Sequence, residues 1–166
     1  MYLDAIHLIK TSQFSRLQKL KPQLRTYPLY PYLESTEISY RISRQSEQDI
    51  LRFVEQYRDT PLVEPLLMHW LANLAKRGKW EMFLTHYDKV TPTKKLACQQ
   101  AYGLYKVGMV DQAMSQAKKL WTVGFSQPDE CDPIFSVWRG ANGITPEIAW
   151  QRFALSLKEN NKDLAS

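Results

Sequence analysis

Apolar residues recur along most of the chain at intervals of three and four, the spacing that gathers them on one face of an α-helix. Ile50, Phe53, Val54 and Tyr57 form one such stripe; Leu67, Trp70, Leu71 and Leu74 form a second, and Trp80, Phe83, Leu84 and Tyr87 a third. Leu104 and Tyr105 follow, then Val110, Ala113, Met114, Ala117, Leu120 and Trp121, and finally Trp150, Phe153, Ala154 and Leu157. No segment alternates with period two over a useful length, so the pattern predicts about eight or nine short helices and no sheet.

Prolines mark where these helices begin. Thr60-Pro61, Thr91-Pro92, Asp132-Pro133 and Thr145-Pro146 each place proline behind a residue that can cap a helix. The first helical amide has no intrahelical partner, so proline there forfeits nothing, while the preceding side chain accepts from an orphan amide further in. Ser46, with Asp49 three residues on, reads as a fifth start of capping-box type. Gly78 and Gly108, each closely preceded by a basic residue, read as stops.

The order of these marks carries a repeat. Residues 71–84 laid over 101–114 pair Leu74 with Leu104, Lys76 with Lys106, Gly78 with Gly108, Trp80 with Val110 and Glu81 with Asp111, a register of 30 residues. A helix, a glycine stop and a second helix at that period predict an α-solenoid of tetratricopeptide-like character, because each hairpin can bury its apolar face only against its neighbours. Trp138 to Gly143, followed by the start at Pro146, is a poorer third copy.

Composition agrees with a single globular domain over residues 1–166: 44% hydrophobic residues, mean hydropathy -0.43, six glycines and 20 aromatic residues. No stretch reaches the roughly 18 to 20 apolar residues of a membrane span, and Met1 to Lys10 has no signal-peptide character. A soluble chain, with any export signal already removed, is the expectation. The net charge of +5 is spread thin: residues 1–50 carry 7 basic and 5 acidic side chains, 51–100 carry 8 and 5, and 101–166 carry 7 and 7. A nucleic-acid partner would require clustering as well as excess, and is not expected.

The search for chemistry ends without a catalytic constellation. The 17 acids are scattered, and their order along the chain identifies no pair of carboxylates facing one cleft. In the one dense acidic run, Asp129-Glu130-Cys131-Asp132, Asp132 reads as a helix cap and its neighbours as a solvated turn. His7, His69 and His86 lack metal-ligand spacing, and there is no phosphate-binding loop, dinucleotide fingerprint or nucleophile elbow. No catalytic residue, metal or cofactor is therefore assigned. Cys98 falls in the helix after Thr91-Pro92 and Cys131 just before Asp132-Pro133, so a hairpin folding back would bring them together. Two buried thiols suit a cytosolic protein, whereas a bridge would place the chain in an oxidising compartment.

Three stretches resemble a known family. YPLYPYLE, Tyr27 to Glu34, DTPLVEPLLMHWLANLAKRGKWEMFLTHY, Asp59 to Tyr87, and the run from Cys98 through LWTVGFSQPDECDPIFSVW, Leu120 to Trp138, are similar to the helical superhelix of the soluble lytic transglycosylases of Gram-negative bacteria. With the helices between them, the likeness covers nearly the whole chain. It implies a partial U-shaped domain, a periplasmic location and a disulfide between Cys98 and Cys131. In that family a separate lysozyme-like domain carries a glutamate, followed by serine, that cleaves peptidoglycan glycan strands to 1,6-anhydro products. The chain stops before such a domain, so its last hairpin is expected to lack a stacking neighbour, with the polar tail Glu159 to Ser166 as a cap or a truncation. Glu34-Ser35 matches the catalytic dipeptide but lacks its glycine-rich surroundings, and no role is carried over to it.

The resemblance thus implies a non-catalytic segment that shapes or holds glycan within a complete enzyme. The alternative is a stand-alone periplasmic adaptor that binds a protein partner in a concave groove.

Overall fold

The structure, a computed structural model, describes residues 1–159. Among them every regular element is helical, in keeping with the all-α class, and there are ten α-helices. The chain forms two compact units, Met1–Asn73 and Leu74 onward.

The first unit holds α1 (Tyr2–Lys10), α2 (Phe14–Leu24), α3 (Tyr30–Tyr40), a 3-10 turn (Ile42–Arg44), α4 (Glu47–Gln56) and most of α5 (Val63–Lys76). Helix α1 packs against both α2 and α3, burying Ala5, Ile9, Leu17, Leu24 and Leu33 in one core. Helix α4 starts as its residues dictate. The Ser46 hydroxyl accepts from the Asp49 amide at 3.1 Å, and the Asp49 carboxylate accepts from the Ser46 amide at 3.4 Å.

The second unit continues with α6 (Trp80–His86), α7 (Lys94–Lys106), α8 (Val110–Trp121), α9 (Asp132–Gly140) and α10 (Pro146–Lys158), with 3-10 turns at Tyr87–Lys89 and Asp129–Cys131. Helix α7 packs against α6, α8 and α9, and the core around it contains Cys98, Ala101, Ala113, Ala117, Ile134, Phe135, Trp138 and Ile148. Small residues at 101, 113 and 117 let α7 and α8 approach closely.

Both glycine stops are present and have the same construction. Gly78 and Gly108 take φ of +67° and +86°. The amides of Lys79 and Gly78 donate to the carbonyls of Leu74 and Ala75, and those of Met109 and Gly108 to Leu104 and Tyr105, at 2.9 to 3.1 Å. The same pair of bonds closes α1 at Ser12 (φ +57°) and α9 at Asn142 (φ +56°). Neither residue is glycine, so these two stops gave no composition signal. Asn142 stands 34 residues after Gly108, and the stop it forms is built like those at Gly78 and Gly108.

Three of the expected starts move. The Thr60 hydroxyl donates to the Tyr57 carbonyl at 2.7 Å, closing the preceding turn, and α5 begins only at Val63. After Thr91-Pro92 the capping residue is Thr93, whose hydroxyl accepts from the Leu96 amide at 3.3 Å. Asp132 is already helical, because the turn at Asp129–Cys131 feeds straight into α9. Thr145-Pro146 starts α10 as expected.

The last stripe is corrected. Trp150 is 68% exposed and Leu157 55%, whereas α10 buries Ile148 and Ser156. The Arg152 guanidinium lies on the covered face, 4.1 Å from the centre of the Trp121 ring, and donates to the Trp121 carbonyl at 2.6 Å. Ile148 on the same side enters the core around α7, so this face is covered by apolar burial and by a cation seated on an aromatic ring, although the apolar spacing lies on the opposite face. Beyond Glu159 the polar tail lies outside the described residues.

Candidate functional site

Two polar–aromatic surfaces emerge, one in each unit. In the first, α2 and α3 bring Lys21, Glu34, Glu37 and Arg41 together around a cavity of about 330 Å³ that also meets Asp49 and Arg52. Glu37 is buried, which is tolerable for a carboxylate only when its lone pairs are filled. It accepts from Gln18 at 2.9 Å, Lys21 at 2.8 Å and Arg41 at 3.3 Å. Burial alone would depress the Lys21 ammonium, but its hydrogen bond to Glu37 and the charge of that carboxylate, with smaller help from Tyr30 and Glu34, outweigh that and leave it raised.

Glu34, the acid of the Glu-Ser dipeptide, lies 3.6 Å from the Lys21 ammonium and accepts from the Tyr57 hydroxyl at 2.5 Å. Burial, and then this hydrogen bond, push the Tyr57 phenol well above its usual value. Glu34 is thus engaged in tying α3 to Lys21 and Tyr57. Its partners are 13 and 23 residues away in sequence, which is why no spacing rule revealed the network.

In the second unit Trp80, at the first position of α6, is half-buried between two cavities. One, of about 260 Å³, is lined by Ala75, Lys76, Gln99, Tyr102, Glu130 and Pro133. The other, of about 340 Å³, is lined by Gly78, Lys79, Glu81, Met82, Lys106 and Val107. Gly103 leaves room for the indole against α7, where an added Cβ would stand 3.0 Å from Cε3. Tyr102 and Phe83 hold the ring in edge-on contacts, with centres 5.5 Å and 6.0 Å away.

Behind this surface Cys98 and Cys131 form a disulfide with Cα atoms 4.7 Å apart, both residues buried. The acidic run around Cys131 is not merely solvated: Glu130 accepts from Lys95 at 2.8 Å. That hydrogen bond lowers the Glu130 carboxyl and raises the Lys95 ammonium. His7 and His69 are exposed and His86 is buried; among the described residues no three metal-ligating side chains are grouped. No helix among them is long and apolar enough to cross a membrane.

No protein-family model matches the sequence. It is 31% identical over 154 residues, 93% of this chain, to the soluble lytic murein transglycosylases of Escherichia coli K12 and Salmonella typhimurium. The chain spans 24% of the length of these curated relatives. Among solved structures, the 70-kDa soluble lytic transglycosylase of Escherichia coli matches 99% of the chain at 30% identity and a TM-score of 0.85, over 26% of its own length. The lytic transglycosylase Slt of Pseudomonas aeruginosa, solved as an inactive mutant, matches 98% at 30% identity and a TM-score of 0.83, again over 26% of its length. The chain is homologous to a part of these proteins.

Proposed function

We propose that this chain is a non-catalytic, superhelical segment of a soluble lytic transglycosylase, a single functional piece over residues 1–166 that shapes or holds peptidoglycan glycan strands in the periplasm. The observation that carries the reading is a likeness in sequence and in backbone that runs through almost the whole chain at once. The state of the only Glu-Ser dipeptide supports a holding role. A general acid must present its proton to the leaving oxygen, whereas the Glu34 carboxylate is already engaged by Tyr57 and Lys21. Cleavage, in this reading, is supplied by another part of a complete enzyme. The buried Cys98–Cys131 bridge suits an oxidising compartment such as the periplasm.

The test is to incubate the purified chain with isolated sacculi, then to measure both co-sedimentation and released 1,6-anhydro-muropeptides. Retention without release is the expected result. Release by the chain alone, or failure to sediment with sacculi, overturns the proposal.

A further inference from the structure

We infer that Trp80 is a stacking shelf for one pyranose ring of an acetamido-sugar strand, with Lys76, Gln99 and Glu130 as the polar groups that orient it. The inference rests on the proposed glycan-holding role and gives it a location.

The site is built before any ligand arrives. Glycine within a helix is unfavourable by about 1 kcal/mol relative to alanine, and Gly103 sits inside α7 with the indole of Trp80 against it. Edge contacts from Tyr102 and Phe83 restrain the same ring, so its exposed surface is offered in one orientation. A binding surface that is ordered in advance loses little entropy when occupied.

The lining matches a sugar in both of its characters. A pyranose ring has a C–H face that packs on an aromatic plane and a rim of hydroxyl and acetamido groups that demand hydrogen bonds. In the 260 Å³ cavity Trp80, Tyr102 and Pro133 supply apolar surface, the usual make-up of a ligand site with a few placed polar groups. At its edge Lys76 donates, Glu130 accepts, and Gln99 can do both. The Gln99 Oε1 atom is buried without a hydrogen-bond partner. An acceptor in that state is costly, and turning the amide toward a ligand hydroxyl or N–H relieves the cost.

A proline-rich peptide is the competing occupant, since tryptophan, tyrosine and proline also line grooves that take such segments. Proline residues carry no N–H, so a polyproline stretch presents acceptors only and leaves the Gln99 Oε1 unmatched. A sugar rim supplies the missing donors.

The test is to titrate the full chain with chitotetraose while recording ¹H–¹⁵N spectra, with the Trp80 indole signal assigned through Trp80→Phe. A saturable movement of that signal is expected, with Gln99→Leu and Lys76→Ala each weakening the affinity about tenfold, the equivalent of about 1.4 kcal/mol. A stationary Trp80 signal, unchanged affinity in both variants, or a preference for a proline-rich peptide overturns the inference. Retention on sacculi with a stationary Trp80 signal refutes the shelf and leaves the holding role standing. Movement of Trp80 with tetrasaccharide in a chain that does not sediment with sacculi supports the shelf and refutes the role.

Discussion

Gly103 and Trp80 are fitted to each other: the indole occupies the place that a side chain at 103 would take, and a Cβ there would stand only 3.0 Å from its Cε3. A glycine that would otherwise weaken α7 is thereby explained by a partner 23 residues earlier in the chain. Gly103→Ala is expected to lower stability by about 1 kcal/mol, because overpacking of about 1 to 3 kcal/mol exceeds the gain in helix propensity. In a Trp80→Ala background the sign reverses and the same substitution stabilises by about 1 kcal/mol. Urea unfolding of the four proteins of this cycle checks both signs.

The bridge between Cys98 and Cys131 closes a sequence separation of 33 residues. On the chain-entropy account a loop of that length contributes about 3 to 4 kcal/mol. Cys98→Ser is expected to lose that amount under oxidising conditions. An unchanged melting temperature would count against the bridge as a stabilising element.

Glu37 is a buried carboxylate facing two cations, Lys21 and Arg41. Glu37→Ala leaves both without their shared partner and is expected to cost about 3 kcal/mol, at the lower end for a buried pair because Arg41 is partly exposed. Glu37→Gln, which keeps the shape and removes the charge, is expected to recover part of this loss. Thermal denaturation of the two variants side by side provides the measurement.

The phenol of Tyr57 is raised by burial and by its bond to Glu34, so the folded state holds that proton more tightly than the unfolded chain does. The resulting stabilisation is complete below the ordinary tyrosine value of 10.0 and declines as pH rises above it toward the raised native value. Tyr57→Phe is expected to cost about 1 to 2 kcal/mol at neutral pH. It should also flatten the loss of stability above pH 10. Denaturation midpoints measured from pH 8 to pH 11 would show the two curves converging, and parallel curves would sink the assignment.

The four left-handed helix stops make opposite predictions according to their residue. Gly108→Ala places a side chain at φ +86° and is expected to destabilise by about 1 kcal/mol. Ser12→Gly relieves the same strain at φ +57° and is expected to be neutral or stabilising by up to about 1 kcal/mol. Chemical denaturation distinguishes the two directions.

Local chemistry was written plainly in the chain. The three-and-four spacing, the caps at Ser46 and Thr145 and the stops at Gly78 and Gly108 depend on atoms within a few residues of one another, so an all-α protein and much of its hairpin order were legible from residue order alone. The residues left the cysteine pair open between thiols and a bridge, and the bridge came from the family resemblance. Packing between helices settled which face of α10 is covered: Ile148 enters the core and Arg152 reaches Trp121 across 31 residues, while Trp150 and Leu157 face outward. Only the tertiary structure joined Lys21 to Glu37, Glu34 to Tyr57 and Trp80 to Gly103. Those relationships arise where separately formed helices meet, and the free energy of such a meeting depends on partners that no short window of sequence contains.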